Sequence, residues 1–135
     1  MTKIKKIVTA TIAAATVSAI GLTAYAADYN HSFYFDLAWH GGHQFSPSAV
    51  KQNELNYARV NAQTGSVTEE NFVSFAVFSD NTSVGKNCVS ESYRIEDLRR
   101  EFSLRYTTER GKGTYNYLCG FAGYNGATVN GKWEP

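Results

Sequence analysis

The sequence predicts an all-β fold, a small antiparallel sandwich or partly open barrel of about seven strands. Over most of the chain, apolar residues recur with a period of two rather than the helical period. Turn-forming residues separate these alternating segments, and the chain contains 11 glycines but only 2 prolines. This pattern is typical of short strands that each bury one face, which requires two packed sheets or one closed sheet.

The first 26 residues have the composition of an export signal, with an expected signal helix. Three lysines precede an uncharged run over residues 7–22, and Ala24-Tyr25-Ala26 matches the small-x-small pattern read by signal peptidase. A membrane span needs roughly 20 strongly apolar residues, whereas this run is shorter and contains several threonines. We therefore expect a signal peptide over residues 1–26 and a secreted, extracellular product, typical of a Gram-positive bacterium. A retained membrane anchor is the alternative.

Residues 27–135 are expected to form a single secreted β domain. The whole chain has 13 basic and 12 acidic residues, and three of the basic ones are Lys3, Lys5 and Lys6. The remaining domain therefore carries a net negative charge. This charge argues against a nucleic-acid partner, whose phosphates attract basic surfaces.

The first half of this domain contains three alternating segments. Residues 33–39 place Phe33, Phe35, Leu37 and Trp39 on one face, residues 56–62 alternate more weakly, and residues 71–79 are apolar on both faces. The last segment is therefore expected to be a central strand that is buried on both sides.

The second half contains further strands and one helical alternative. Strands are expected over residues 87–95, 101–108, 114–124 and from Ala127 to Trp133. In the third of these, Tyr115, Tyr117, Cys119 and Phe121 share one face. Hairpin turns are expected at residues 111–113 and at Asn125-Gly126. A single turn or a short helix that links two strands is expected over residues 95–102, where apolar residues recur at helical spacing.

Cys88 and Cys119 are the only cysteines, and an even number in an exported chain suggests a disulfide. A loop of this length would stabilise the fold by roughly 3–4 kcal/mol. Two free buried thiols or a redox pair are the alternatives. The wide spacing is unlike the CxxC arrangement that lowers a thiol pKa.

His40 and His43 flank two glycines and are weak candidates for a metal site. Structural zinc sites use four ligands and catalytic ones three, so two imidazoles are too few. The alternative is a glycine turn with exposed histidines. No metal and no cofactor is expected.

Catalytic patterns are missing from the sequence. There is no GxSxG motif, and the adjacent carboxylates Glu69-Glu70 and Glu96-Asp97 would point to opposite faces of a strand. Glycoside hydrolysis needs two carboxyls that face one sugar. We therefore expect a protein that is not an enzyme.

Aromatic residues make up 14% of the chain, more than a small core needs. The phenylalanines are expected in the core, whereas exposed tyrosines would offer a surface for a carbohydrate, peptide or protein. The alternative is cross-strand pairing that stabilises the sheet. The candidate ligand-binding residues are Tyr115, Tyr117, Tyr124 and Trp133, and the wider tyrosine set adds Tyr29, Tyr34 and Tyr57.

Three short motifs resemble a family of small exported Gram-positive proteins of unknown function. They are Phe33-Tyr34-Phe35, Lys51-Gln52-Asn53 before Tyr57, and the ending Gly131-Lys132-Trp133-Glu134-Pro135. The ending is also distantly similar to that of lactococcin-972-like bacteriocins, with Glu134 in place of a serine. The resemblance implies an exported antimicrobial or accessory role, and it assigns no functional residue.

The expected function is therefore that of a secreted, non-enzymatic, bacteriocin-like or bacteriocin-associated protein acting at the cell envelope. The alternative is an extracellular module that binds cell-wall glycan or a protein partner through exposed tyrosines. The oligomeric state has no signature in the sequence.

Overall fold

The computed structural model describes residues 29–135, which form two packed antiparallel sheets. The predicted signal peptide lies outside the described residues. The strands are β1 (His31–Leu37), β2 (His43–Phe45), β3 (Ala49–Val50), β4 (Tyr57–Gly65), β5 (Val73–Phe78), β6 (Tyr93–Ile95), β7 (Arg100–Arg105), β8 (Tyr115–Ala122) and β9 (Ala127–Glu134). The predicted all-β sandwich is confirmed. Short strands β2 and β3 had no clear sequence signal.

The two sheets are named here after their central strands. The β9 sheet has the order β1-β9-β4-β7, and the β8 sheet has the order β2-β8-β5-β6, with β3 also pairing with β8. Every strand pair is antiparallel. Consecutive strands mostly lie in different sheets, so the chain repeatedly crosses the sandwich.

The core lies between the sheets and is rich in phenylalanine. Phe33, Phe35 and Leu37 of β1 are buried, and the residues between them are exposed, as the alternation predicts. The ring of Phe75 packs 5.7 Å from that of Phe33 and 5.3 Å from that of Phe102, measured between centroids. Trp39 was expected to continue this buried face, but β1 ends at Leu37 and Trp39 is exposed.

Strand β5 is buried on both faces, as predicted. Val73, Phe75 and Val77 belong to the core between the sheets. Ala76 and Phe78 belong to a second cluster with Cys119, against which Phe45 and Phe121 pack. This second cluster gives the β8 sheet an apolar outer face.

Both predicted hairpins are wrong. The Asn125-Gly126 turn connects β8 to β9, and the turn at residues 111–113 connects β7 to β8, so each passes from one sheet to the other. At Gly126 a Cβ would lie only 2.6 Å from the carbonyl oxygen of Leu37, so glycine is needed there for close packing. Turn chemistry sets a local bend, but it does not select the partner strand.

Of the two forms expected for residues 95–102, the short helix does not occur, and a tight bend links two strands as the other form predicts. Bends at residues 96–99 connect β6 to β7, and Arg99 has a φ of 59°. Ile95 and Phe102 are both buried, but they reach the core from two different strands. Their helical spacing is therefore produced by two strands and a four-residue bend.

The predicted disulfide is absent, and both cysteines are free. Cys88 forms a bridge with Phe78 on one side of β5, whereas Cys119 pairs with Ala76 on the other side. Two strand spacings separate their backbones by about 9–10 Å. A disulfide requires Cα atoms within about 7 Å.

We predict that only one thiol of the native protein reacts with a thiol-specific reagent. Cys88 is exposed, while burial raises the pKa of the Cys119 thiol to about 12 and leaves it protonated. Reaction kinetics before and after unfolding measure both thiols, and Cys88→Ser should remove the native reaction. An oxidised protein lighter by two hydrogens, with no reactive thiol even after unfolding, would contradict this assignment.

Candidate functional site

Three aromatic side chains form an exposed group at the end of the sandwich where β1 and β8 both terminate. The ring centroid of His40 lies 3.9 Å from that of Trp39 and 4.8 Å from that of Tyr124. Trp39 is 63% exposed and Tyr124 is 69% exposed. We call Trp39, His40 and Tyr124 the loop ring cluster.

Backbone hydrogen bonds hold the two loops that carry these rings. The His40 amide donates to the Tyr124 carbonyl at 2.8 Å, and the Gly41 amide donates to the Gly123 carbonyl at 3.0 Å. His40 has a φ of 62°, a left-handed conformation that is rare for a residue with a side chain. Such conformations persist where the surrounding structure enforces them, and they concentrate at functional sites.

Glycines make the close contact between the loops sterically feasible. A Cβ at Gly126 would lie 3.0 Å from the Trp39 backbone nitrogen in the facing loop, and a Cβ at Gly42 would lie 2.5 Å from the Ala38 carbonyl oxygen within its own loop. The Asn125 side-chain amide donates to the Glu70 carbonyl at 3.1 Å. The loops are therefore fixed although their side chains are exposed. A ligand that packs on the rings would lose little loop entropy on binding.

The two candidate metal-ligating histidines belong to different ring groups. His40 packs with Trp39 and Tyr124, whereas the His43 ring lies 6.0 Å from that of Phe45 and 6.3 Å from that of Phe121. Within residues 29–135 there is no group of three or more His, Cys, Asp or Glu side chains placed to hold a metal ion.

The predicted ligand-binding residues do not form one surface. Tyr115 is 61% exposed and Tyr117 is half-buried, both on the outer face of the β8 sheet. Tyr124 lies beyond the other end of β8, about 25–30 Å from Tyr115 along the strand. Trp133 is fully buried between the sheets, so its assignment to a surface site is wrong.

The sequence reasoning missed Trp39 and His40 as partners of Tyr124. Alternation along β1 predicted that Trp39 is a core residue. The available signal for two tight loops was the position of the glycines. Gly41 and Gly42 follow His40, and Gly123 and Gly126 lie on either side of Tyr124. Their contact depends on two strands from different sheets ending side by side, which no local pattern encodes.

Two of the motifs that carry the family resemblance meet in the interior. Lys51 is fully buried, and its Nζ donates to Asn53 Oδ1 at 2.8 Å. The Asn53 amide in turn donates to the Pro135 main-chain oxygen at 3.2 Å. The Lys51 Nζ also lies 4.9 Å from the centroid of the Tyr106 ring. These motif residues therefore connect the β3–β4 segment to the end of β9.

Burial lowers the pKa of Lys51 to about 8, while the negative charges of Glu134 and Glu54 partly oppose this shift. Perturbed pKa values are frequent in active sites, and they also occur in structural networks. Because the Lys51 side chain has no exposed surface, a dissolved substrate cannot reach its amine. We assign Lys51 to the structural network.

Comparison with known proteins gives a distant likeness of fold. No family model matches the chain, and no curated protein matches it. One solved structure to which the chain is distantly similar is the crystal structure of PirA, with 10% sequence identity and a TM-score of 0.43. The match covers 76% of this chain and 94% of that chain. In the described part of this chain, no helix is long and apolar enough to cross a membrane.

We predict that the free energy of unfolding rises with pH through the titration of Lys51. The folded pKa is about 8 and the unfolded value is 10.5, so between them the unfolded state binds more protons. Urea unfolding of the native chain and of Lys51→Met between about pH 7 and about pH 10 measures this effect. The free energy of unfolding of the native chain minus that of Lys51→Met should increase as pH rises. Titration of Cys119 occurs in both proteins and therefore cancels in this difference. Parallel pH profiles would contradict the shifted pKa.

We also predict that Gly126→Ala lowers the free energy of unfolding by about 1–3 kcal/mol, since its Cβ meets backbone atoms that cannot turn aside. Gly85→Ala is the matched control, because its Cβ would come no closer than 3.5 Å to the Ser83 hydroxyl. The control should change stability by less than about 0.5 kcal/mol. Equal effects of the two substitutions in urea unfolding would show that the loops do not pack as described.

Proposed function

We propose that this chain is an exported, non-enzymatic protein that binds a cell-wall glycan of the bacterial envelope through the loop ring cluster. The observation that carries the proposal is the display of three exposed rings on a backbone that is already fixed. Tryptophan and tyrosine offer large apolar faces at low cost in side-chain entropy.

The shape and size of the cluster favour a glycan over a protein partner. The apolar C–H faces of sugar rings pack against flat aromatic rings, and hydroxyl groups can bond to the imidazole of His40 between them. A stable protein interface buries about 800 Å² on each partner. Three side chains supply only a part of that area, whereas they are enough to contact a few sugar rings.

The proposal includes no catalysis. The loop ring cluster itself contains no carboxyl group, whereas glycoside hydrolysis needs two carboxyl groups on either side of the scissile bond. The cluster would therefore hold a sugar without cleaving it.

Attachment to the envelope also fits the bacteriocin-like or bacteriocin-associated role that the family resemblance implies. A protein that acts on another cell must first reach and bind its surface. The support for this role is the export-signal composition of residues 1–26 together with the short motifs of the resemblance.

We predict that the secreted protein sediments with purified Gram-positive cell walls, and that Trp39→Ala and Tyr124→Ala each weaken this binding by about tenfold. The reason is the loss of one stacking face from a cluster whose backbone remains intact. Tyr115→Ala is the matched control, because Tyr115 is equally exposed but lies at the other end of β8. Sedimentation at several wall concentrations gives the apparent affinities.

Unchanged binding by both cluster variants would overturn the proposed site. Binding that disappears after protease treatment of the walls would indicate a protein partner and overturn the glycan. A growth-inhibition assay with the same variants tests the antimicrobial role, for which Trp39→Ala should lose inhibition along with binding.

A further inference from the structure

A second surface lies on the outer face of the β9 sheet, where Tyr34 stands among polar side chains. A shallow groove of about 580 Å³ is lined by Ser32, Tyr34, Pro47, Gln63, Asn130 and Lys132, among others. Tyr34 is 64% exposed. We call this the Tyr34 groove.

The register of β1 and β9 sets the layout of the groove. Tyr34 lies opposite Asn130, and Ser32 lies opposite Lys132, so these four side chains form two adjacent cross-strand pairs. Directly opposed side chains are about 5 Å apart at Cβ, and the diagonal from Tyr34 to Lys132 is about 7 Å. A ring, an amide and an ammonium group therefore lie within the width of one sugar residue.

A bulge in β4 supplies the third side of the groove. The pairing of β4 with β9 shifts register between Ala62 and Thr64, and Gln63 at this position lines the groove. Bulges commonly redirect a side chain next to a binding site. The Thr64 hydroxyl bonds to Asn130 Oδ1, which leaves the Asn130 Nδ2 as a donor toward the groove.

The charge of the groove is positive. Lys132 is exposed and forms no ion pair with any residue of the described range 29–135. No carboxylate lines the groove, although Asp36 and Glu134 each lie two residues along a strand from a lining residue. A ligand that carries an anionic group would therefore pair with Lys132 directly.

We propose that the Tyr34 groove binds a pyranose residue that carries a carboxylate. The Tyr34 ring packs against the apolar face of the sugar, Asn130 Nδ2 and the Ser32 hydroxyl bond to its hydroxyl groups, and the Lys132 ammonium pairs with the carboxylate. A polyol-phosphate polymer would form an ion pair with the Lys132 ammonium, but it has no sugar ring to pack against Tyr34. A neutral sugar would satisfy Tyr34, but it would leave Lys132 without a partner.

The Tyr34 groove and the loop ring cluster are separate surfaces that share no residue. Strand β1 continues for three residues beyond Tyr34, which is about 10 Å, before the chain turns into Trp39. A glycan chain lying along β1 would reach both surfaces, whereas a single acidic sugar would occupy only the groove. The two proposals can therefore fail separately.

The test is a calorimetric titration of the secreted protein with three probes. These are a short uronic-acid oligosaccharide, its neutral counterpart with a hydroxymethyl group in place of each carboxylate, and glycerol-phosphate oligomers. We expect the acidic oligosaccharide to bind at least about tenfold more tightly than either of the others. Its affinity should fall as salt is added, since the contact with Lys132 is exposed.

Variants assign the binding to the groove. Lys132→Gln and Tyr34→Ala should each weaken binding of the acidic oligosaccharide by about tenfold, while Lys132→Arg should retain most of it. Lys86→Gln removes an exposed lysine from a distant loop and should have no effect.

Several results would overturn the inference. Equal affinity for the neutral sugar would remove the role of Lys132, and preference for glycerol phosphate would identify a different ligand. Loss of binding in Lys86→Gln as large as in Lys132→Gln would indicate attraction to overall charge. Absence of binding by all three probes would also contradict it, because correct folding is checked independently by the protection of the buried Cys119 thiol.

Discussion

The pairing of strand β9 determines the arrangement of its sheet, because β9 is a central strand through which distant parts of the chain pair. It lies between β1 and β4, and Trp133 near its end is fully buried opposite His31 on one side and Val60 on the other. Strand β1 is an edge strand of this sheet, so its position in the sheet depends on pairing with β9. Both proposed binding surfaces depend on β1, which carries Tyr34 and leads into Trp39.

The end of β9 is fixed by a buried charge. Taking the Lys51 ammonium out of water costs free energy, and it is offset by the Asn53 carbonyl, the Tyr106 ring and the charge of Glu134. Because Asn53 also bonds to the Pro135 main-chain oxygen, the network sets where the chain end lies against the β3–β4 segment. The motif residues Lys51, Asn53 and Pro135 thus stabilise the fold, whereas Tyr34 and Lys132, which also belong to these motifs, supply proposed contacts with the ligand.

Residue alternation predicted most strands because burial of one face is a local property of a sequence. It identified the inward face of β1, the doubly buried β5 and the shared outer face of Tyr115, Tyr117 and Cys119. The partners of each strand could not be predicted in the same way. Asn125-Gly126 has the residues of a hairpin turn, yet β8 and β9 pair with other strands, because burial in the sandwich outweighs a local turn preference.

The same limit explains the errors at the sites. Trp39 continues the alternation of β1, but the chain turns away after Leu37 and leaves its ring outside the core. The compartment inferred from residues 1–26 suggested a disulfide, whereas the register places β5 between Cys88 and Cys119. The loop ring cluster and the Tyr34 groove each combine residues from strands far apart in sequence, so only the tertiary structure brings them together.

The central claim is that the two tryptophans have separate roles, Trp133 in the core and Trp39 in ligand binding. Acrylamide quenching of tryptophan fluorescence, with and without purified cell-wall glycan, tests this most directly. We expect one accessible and one protected component, assigned with Trp39→Phe, and protection of the accessible component alone when glycan is added. If Trp39 remains equally quenchable at saturating glycan, or if Trp133 is accessible in the native protein, the claim is contradicted.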